Sequence, residues 1–186
     1  MEQDANLTPE LVEEVASRGG LLVTKIPMSL RAIDMFWDKF TCQECGVCCT
    51  GDYVGRTDKD GIATNPSEME RLASYLLTTP RAFRKKHTFH TGETRAIIYP
   101  CPFYILEEKI CSIYQNRPVV CVTFPINQAG WVWIAGIKIY LLTISLNCLS
   151  AKSVALELID TKITKGDLIH ALEWQTNFRE TFGAMD

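Results

Sequence analysis

The sequence has no basic excess, no long hydrophobic run and few histidines. Its 186 residues carry 19 Lys and Arg against 22 Asp and Glu, a net charge of −3. Phosphate backbones are bound through a clear surplus of positive charge, so nucleic acid is not the expected partner. The one basic run, Arg81 to Lys86, reads as a solvated helix face rather than a binding patch. The longest apolar stretch, Trp131 to Leu146, is interrupted by Lys138 and falls short of the roughly 20 apolar residues of a membrane helix. The start, Met1-Glu2-Gln3-Asp4, is acidic where a secretory leader is basic. The protein is therefore expected in the cytoplasm, away from the membrane. Motifs such as G-x-S-x-G, the P-loop and G-x-G-x-x-G are missing, so no catalytic residue is assigned. Repeats, low-complexity tracts and long linkers are also missing.

What the sequence has is cysteine. There are eight: Cys42, Cys45, Cys48, Cys49, Cys101, Cys111, Cys121 and Cys148. Thiols stay reduced in the cytoplasm and structural disulfides are uncommon there, so ligation is the leading explanation for so many. A two-residue gap lets a tight turn aim two sulfurs at one centre, and in Cys42-x2-Cys45-x2-Cys48 the gap occurs twice. Cys101, Cys111 and Cys121 follow with nine residues between each and the next, and Cys148 later, so the fold must bring them in. The opening run matches the first three ligands of a bacterial ferredoxin motif, and Cys101-Pro102 offers its Cys-Pro dipeptide at long range. An iron–sulfur cluster, of the 4Fe-4S type, is the expected cofactor. Zinc, which accepts four thiolates in many arrangements, is the alternative. Inert buried thiols are the plain reading for Cys148, which borders the apolar stretch.

The adjacent Cys48-Cys49 pair constrains the site. In an extended chain neighbouring side chains point to opposite sides, so one centre would not easily take both sulfurs. The pair would then serve two centres, or one cysteine would ligate while the other packs.

The rest of the chain predicts a small α+β domain of helices and short strands organised around this site. Thr8 caps a helix starting at Pro9 and ending at Gly19-Gly20, followed by a strand from Leu21 to Ile26. A helix from Ser29 to Lys39 would bury Leu30, Ile33 and Phe36 or Trp37, and Cys42 to Cys49 would be a loop. Asn65-Pro66-Ser67-Glu68 resembles a capping box, opening a helix that buries Met69, Leu72, Ala73 and Leu76. Thr79-Pro80 starts another. Arg95–Tyr99, Phe103–Leu106, Trp131–Ala135 and Ile137–Leu146 are strand candidates, and a last helix spans Lys165 to Phe182 with Ala171, Trp174, Phe178 and Phe182 facing a core. In domain terms, residues 1–39 are expected as an N-terminal helical extension packed on the core. Residues 40–150 would form the cysteine-cluster domain, and 151–186 its C-terminal helical segment. His87 and His90 are expected as polar surface residues, and His170 as structural or exposed.

The segments Phe40-Thr41-Cys42-Gln43-Glu44-Cys45-Gly46-Val47-Cys48-Cys49 and Cys111 to Pro125, with Cys101-Pro102-Phe103 between them, resemble the YkgJ-like, or CxxCxxCC, cysteine-cluster family. The resemblance covers residues 40 to 150 and implies a zinc- or iron-chelating protein. It carries over Cys42, Cys45, Cys48, Cys49, Cys101, Cys111 and Cys121 as ligands, with Cys148 as a late eighth. Related motifs occur in flagellin lysine methylases, which adds a methyltransferase with an accessory cluster to the alternatives. The family has arginine after the cysteine matching Cys121, where this chain has Val122. Arg117 is the nearest cation to take that role against thiolate charge, or else Arg117-Pro118 only shapes a turn. Three functions follow: an iron–sulfur protein for electron transfer or maturation of a partner enzyme, a zinc-stabilised interaction domain, or such an enzyme. The expected partner is another protein.

Overall fold

The computed structural model describes residues 7–52, 60–92 and 94–182, without the side chains of 128, 129 and 178–182. The architecture is α+β, with all sheets antiparallel. Its contacts fall into two compact units, residues 1–43 with 125–186, and residues 44–124.

The first unit is built on a three-stranded sheet of order β1-β8-β7, where β1 is Leu21–Pro27, β7 Ile126–Ile134 and β8 Ile137–Ser145. Alternate residues of β1 are buried, as a half-covered strand requires. Helices α1 (Pro9–Ser17), α2 (Leu30–Trp37), α7 (Leu149–Leu158) and α8 (Lys165–Phe182) complete the unit. The Thr8 hydroxyl accepts from Leu11 N–H at 3.3 Å, and Ser29 from Ala32 N–H at 3.1 Å, so both helices start at side-chain caps. On α2 the buried face carries Ala32 and Phe36, while Leu30 is exposed. Of the expected face, Phe36 is buried, Ile33 and Trp37 are half-buried, and only Leu30, at the first helical position, is left exposed. Buried Gln175 of α8 donates to Met28 O and Tyr140 O and accepts from Tyr140 N–H, so this polar group is fully paired. Ala171 is buried and Trp174 half-buried, while the side chains of Phe178 and Phe182 lie outside the described residues.

Helix α7 lies at the start of the segment expected as C-terminal and helical, though its own bounds are not marked in the sequence. Its buried residues are Ser150, Ala151, Val154, Ala155 and Leu158. They form a broad face of small side chains, without the contrast of a strong apolar stripe.

The second unit has a sheet of order β2-β4-β3 (Ile62–Thr64, Thr94–Ile97, Thr88–Thr91) and a two-stranded ribbon of β5 (Tyr104–Ile105) and β6 (Ile110–Cys111). Around them lie α3 (Val47–Thr50), α4 (Pro66–Tyr75), α5 (Pro80–His87), a 3₁₀ turn at Tyr114–Asn116, and α6 (Val119–Thr123). The capping box of Asn65 and Glu68 is present in both directions. Met69, Leu72, Ala73, Phe83, Ile97, Phe103 and Ile113 form the core. On α5, Phe83 is buried while Arg81, Lys85 and Lys86 are exposed. Basic groups in its last turn suit the negative end of the helix dipole. Among the described residues no helix is long and apolar enough to cross a membrane.

Candidate metal centre

Six of the eight cysteines belong to the second unit, and Cys42 and Cys148 to the first. Four of the six meet one apolar cluster: Cys101 is buried in it, and Cys49, Cys111 and Cys121 pack half-buried against it. Cys45 and Cys48 are exposed. In the first unit Cys42 is exposed and Cys148 is buried. The Gln43 N–H donates to Ser150 Oγ at 3.2 Å, which ties the residue after Cys42 to the helix that begins after Cys148.

The segment expected to be a loop contains a single helical turn, α3. Gly46 and Gly51 bracket it in the left-handed region, at φ of 75° and 74°, where residues with a Cβ are strained. Space imposes glycine as well. A Cβ at Gly46 would run into the Tyr104 hydroxyl, and one at Gly51 into the Tyr99 ring. The expectation that the sulfurs of Cys48 and Cys49 point apart is corrected by this turn. Successive helical side chains diverge by about 100° rather than 180°, and the two sulfurs stand 3.9 Å apart.

Three further segments are tied to this turn or to the same core. The Cys101 N–H donates to Cys49 O at 2.7 Å. Tyr104, lying over Gly46, is the cross-strand partner of Cys111. Cys121 lies in α6, whose first N–H, that of Val119, donates to Glu68 Oε1 at 2.7 Å. The other Glu68 oxygen accepts from Asn65 N–H at 3.0 Å and from the Thr64 hydroxyl at 3.3 Å. One buried carboxylate thus caps α4 and anchors the helix bearing Cys121. The capping role was legible from Asn65-x-x-Glu68; the anchoring of α6 was not, since 51 residues separate the partners.

Electrostatics bind the thiols into one set. The Cys48 thiol is lowered to about 7, chiefly by its hydrogen bond with Cys49 and further by the Arg117 charge. Cys49 is driven upward by the same hydrogen bond, by burial and by the charges of Cys48, Cys101 and Cys111. The two sulfurs lie within hydrogen-bond reach of each other at 3.9 Å, so the pair titrates as a unit. Burial above all, with the neighbouring thiol charges added, pushes Cys101 up to about 11 and Cys121 up to about 12; those charges are Cys111 and Cys48 for the first and Cys101, Cys48 and Cys111 for the second. Arg117 opposes the rise at Cys121. Its guanidinium stacks at 4.0 Å on the Tyr114 ring, and Arg71 donates to the Asn116 and Arg117 carbonyls. Tyr104 is raised by burial and then by the neighbouring Cys49, Cys45 and Cys48 charges.

The three histidines have other neighbours. His87 is half-buried against the Phe83 and Phe103 rings, at 5.3 and 5.1 Å, more enclosed than a polar surface residue, and burial lowers its pKa. His90 is exposed, and Arg95 donates to its Nε2 at 2.6 Å. His170 Nδ1 lies 3.8 Å from a Glu173 carboxylate oxygen on the surface of α8.

Among the described residues no three His, Cys, Asp or Glu side chains meet as a ready-made cation site. The donor chemistry nevertheless fits a thiophilic ion. Several thiols repel one another as anions, and a bound cation relieves that repulsion. Fold and donor set together describe a thiol-rich α+β protein whose donors suit soft or borderline metals. The chain belongs to the CxxCxxCC family, described as a "Putative zinc- or iron-chelating domain", whose model matches residues 41–137, just over half of the chain. No solved structure matches it.

Proposed function

We propose that the second unit binds zinc or iron through its cysteines, and that an iron-bearing form serves electron transfer or the maturation of a partner enzyme in the cytoplasm. The observation that carries this reading is the packing of Cys49, Cys101, Cys111 and Cys121 on one apolar cluster, with Cys48 beside them. Apolar surroundings strengthen each metal–thiolate attraction, and Arg117 lowers the accumulated negative charge. A bound iron centre would supply one-electron chemistry; zinc would supply folding energy. The chain's own residues hold the donors in place, exclude water behind Cys101 and release thiol protons on binding.

Anaerobic purification tests the reading. Iron, with or without sulfide, and visible absorption support the redox role. Stoichiometric zinc in a colourless protein supports a structural domain and refutes electron transfer. A chain that retains neither metal after loading overturns the proposal altogether.

A further inference from the structure

We infer that Cys48 and Cys49 chelate one and the same metal ion, so the centre is not a four-iron cubane held by both. This deepens the metal-binding reading above and rests on it. Thiolate ligands lie about 2.3 Å from a tetrahedral zinc. The edge of such a tetrahedron is about 1.63 times that length, so two sulfurs on one ion stand ~3.8 Å apart. The Cys48 and Cys49 sulfurs are 3.9 Å apart. In a four-iron cluster each iron carries one thiolate, and adjacent corners hold their sulfurs much farther apart than this.

The spacing is built into the backbone. Two left-handed glycines bracket the turn. The Tyr104 and Tyr99 rings occupy the space that side chains at 46 and 51 would need. The Cys101 N–H pins the Cys49 carbonyl at 2.7 Å. Unwinding the turn to send the two sulfurs to separate metals would break these contacts together. Cys101, Cys111 and Cys121, whose charges couple with the pair, are the donors available to complete the ion's shell. Each ligating thiol gives its proton to solvent as the metal–sulfur bond forms, and no electron is transferred.

The test loads the reduced full-length chain with cobalt(II), zinc and iron(II) in turn, the iron with added sulfide. X-ray absorption then counts sulfur neighbours and metal–metal distances. The expected wild-type result is an ion with both Cys48 and Cys49 in its shell. Cys48→Ser and Cys49→Ser should each lower the sulfur count by one and weaken cobalt affinity at least tenfold, with unchanged far-ultraviolet circular dichroism. Tyr104→Ala, which frees the space over Gly46 without touching a thiol, should weaken cobalt affinity in the same direction while leaving the sulfur count intact. An iron-loaded chain with four irons and four sulfides, in which both single cysteine variants disturb the cluster, would overturn the inference. Full sulfur coordination in either cysteine variant would do the same. Failure of the wild type to bind any of the three metals would instead sink the metal-binding reading itself.

Discussion

Replacing Glu68 probes how the cysteine unit is held together. The carboxylate is buried, and its two oxygens accept from two backbone N–H groups and one hydroxyl. Glu68→Gln leaves one acceptor oxygen and turns an amide NH₂ toward either Val119 N–H or Asn65 N–H. One part-buried donor then faces another donor. A hydrogen bond to a charged group contributes about 1.5–3 kcal/mol, and a donor orphaned at a part-buried site costs toward the low end of the range of about 1–3 kcal/mol for a fully buried one. Glu68→Gln should therefore destabilise the metal-free protein by ~2 kcal/mol, and Glu68→Ala, which strands both donors and opens a cavity, by ~3–4 kcal/mol. Urea unfolding under reducing conditions measures this, with the midpoint falling at unchanged slope. Because α6 carries Cys121, zinc affinity should fall in parallel. A loss below about 0.5 kcal/mol for Glu68→Gln, the range of ordinary surface changes, would refute the claim that this carboxylate ties α6 to α4.

The raised thiols set a pH dependence. Folding keeps Cys101 and Cys121 neutral, so their contribution is complete below the unfolded thiol value near 9 and is lost as pH climbs through about 11 to 12. For Cys101 alone this amounts to ~3 kcal/mol in the metal-free form. Thermal melts from pH 8 to 11 should show the decline without metal and a flatter profile with zinc. Gly46→Ala should cost at least ~1–2 kcal/mol from the left-handed backbone alone, plus displacement of Tyr104. A melting temperature equal to wild type would refute the bracketed turn. Arg117→Gln should raise the Cys48 and Cys121 thiols and weaken zinc binding at pH 6 more than at pH 8. Arg117→Lys should restore most of the affinity, and a pH-independent loss would argue for a structural role only.

Local signals were legible. Thr8, Ser29, Asn65 and Thr79 each cap the helix that their sequence neighbourhood announces, because capping is decided within four residues. The strand β8 and the span of α8 were legible in the same way, whereas β7 starts at Ile126, five residues before the expected Trp131. Less was visible where long-range packing decides. Helix α6 is Val119-Val120-Cys121-Val122-Thr123, β-branched almost throughout, and intrinsic preference argues against a helix there. It forms where Glu68, distant in sequence, receives its first N–H. The cysteine set was legible as residues but not as a grouping. Spacing alone could not show that Cys49, Cys101, Cys111 and Cys121 pack on one apolar cluster, nor that a turn bracketed by glycines brings the Cys48 and Cys49 sulfurs within 3.9 Å.

The order of segments gives the metal a second point of leverage. Strand β1 precedes the cysteine unit in the chain, and its partner β8 follows it. Residues 44–124 are thus an excursion of 81 residues, and the sheet of the first unit can close only across it. Bridging that length as a floppy chain costs on the order of 4 kcal/mol in closure entropy beyond a constant. An excursion already ordered by its own core and ligands has little of that freedom left to lose. Metal loading should therefore slow hydrogen exchange in the β1–β8 ladder, even though the thiols packed on the apolar cluster belong to the other unit.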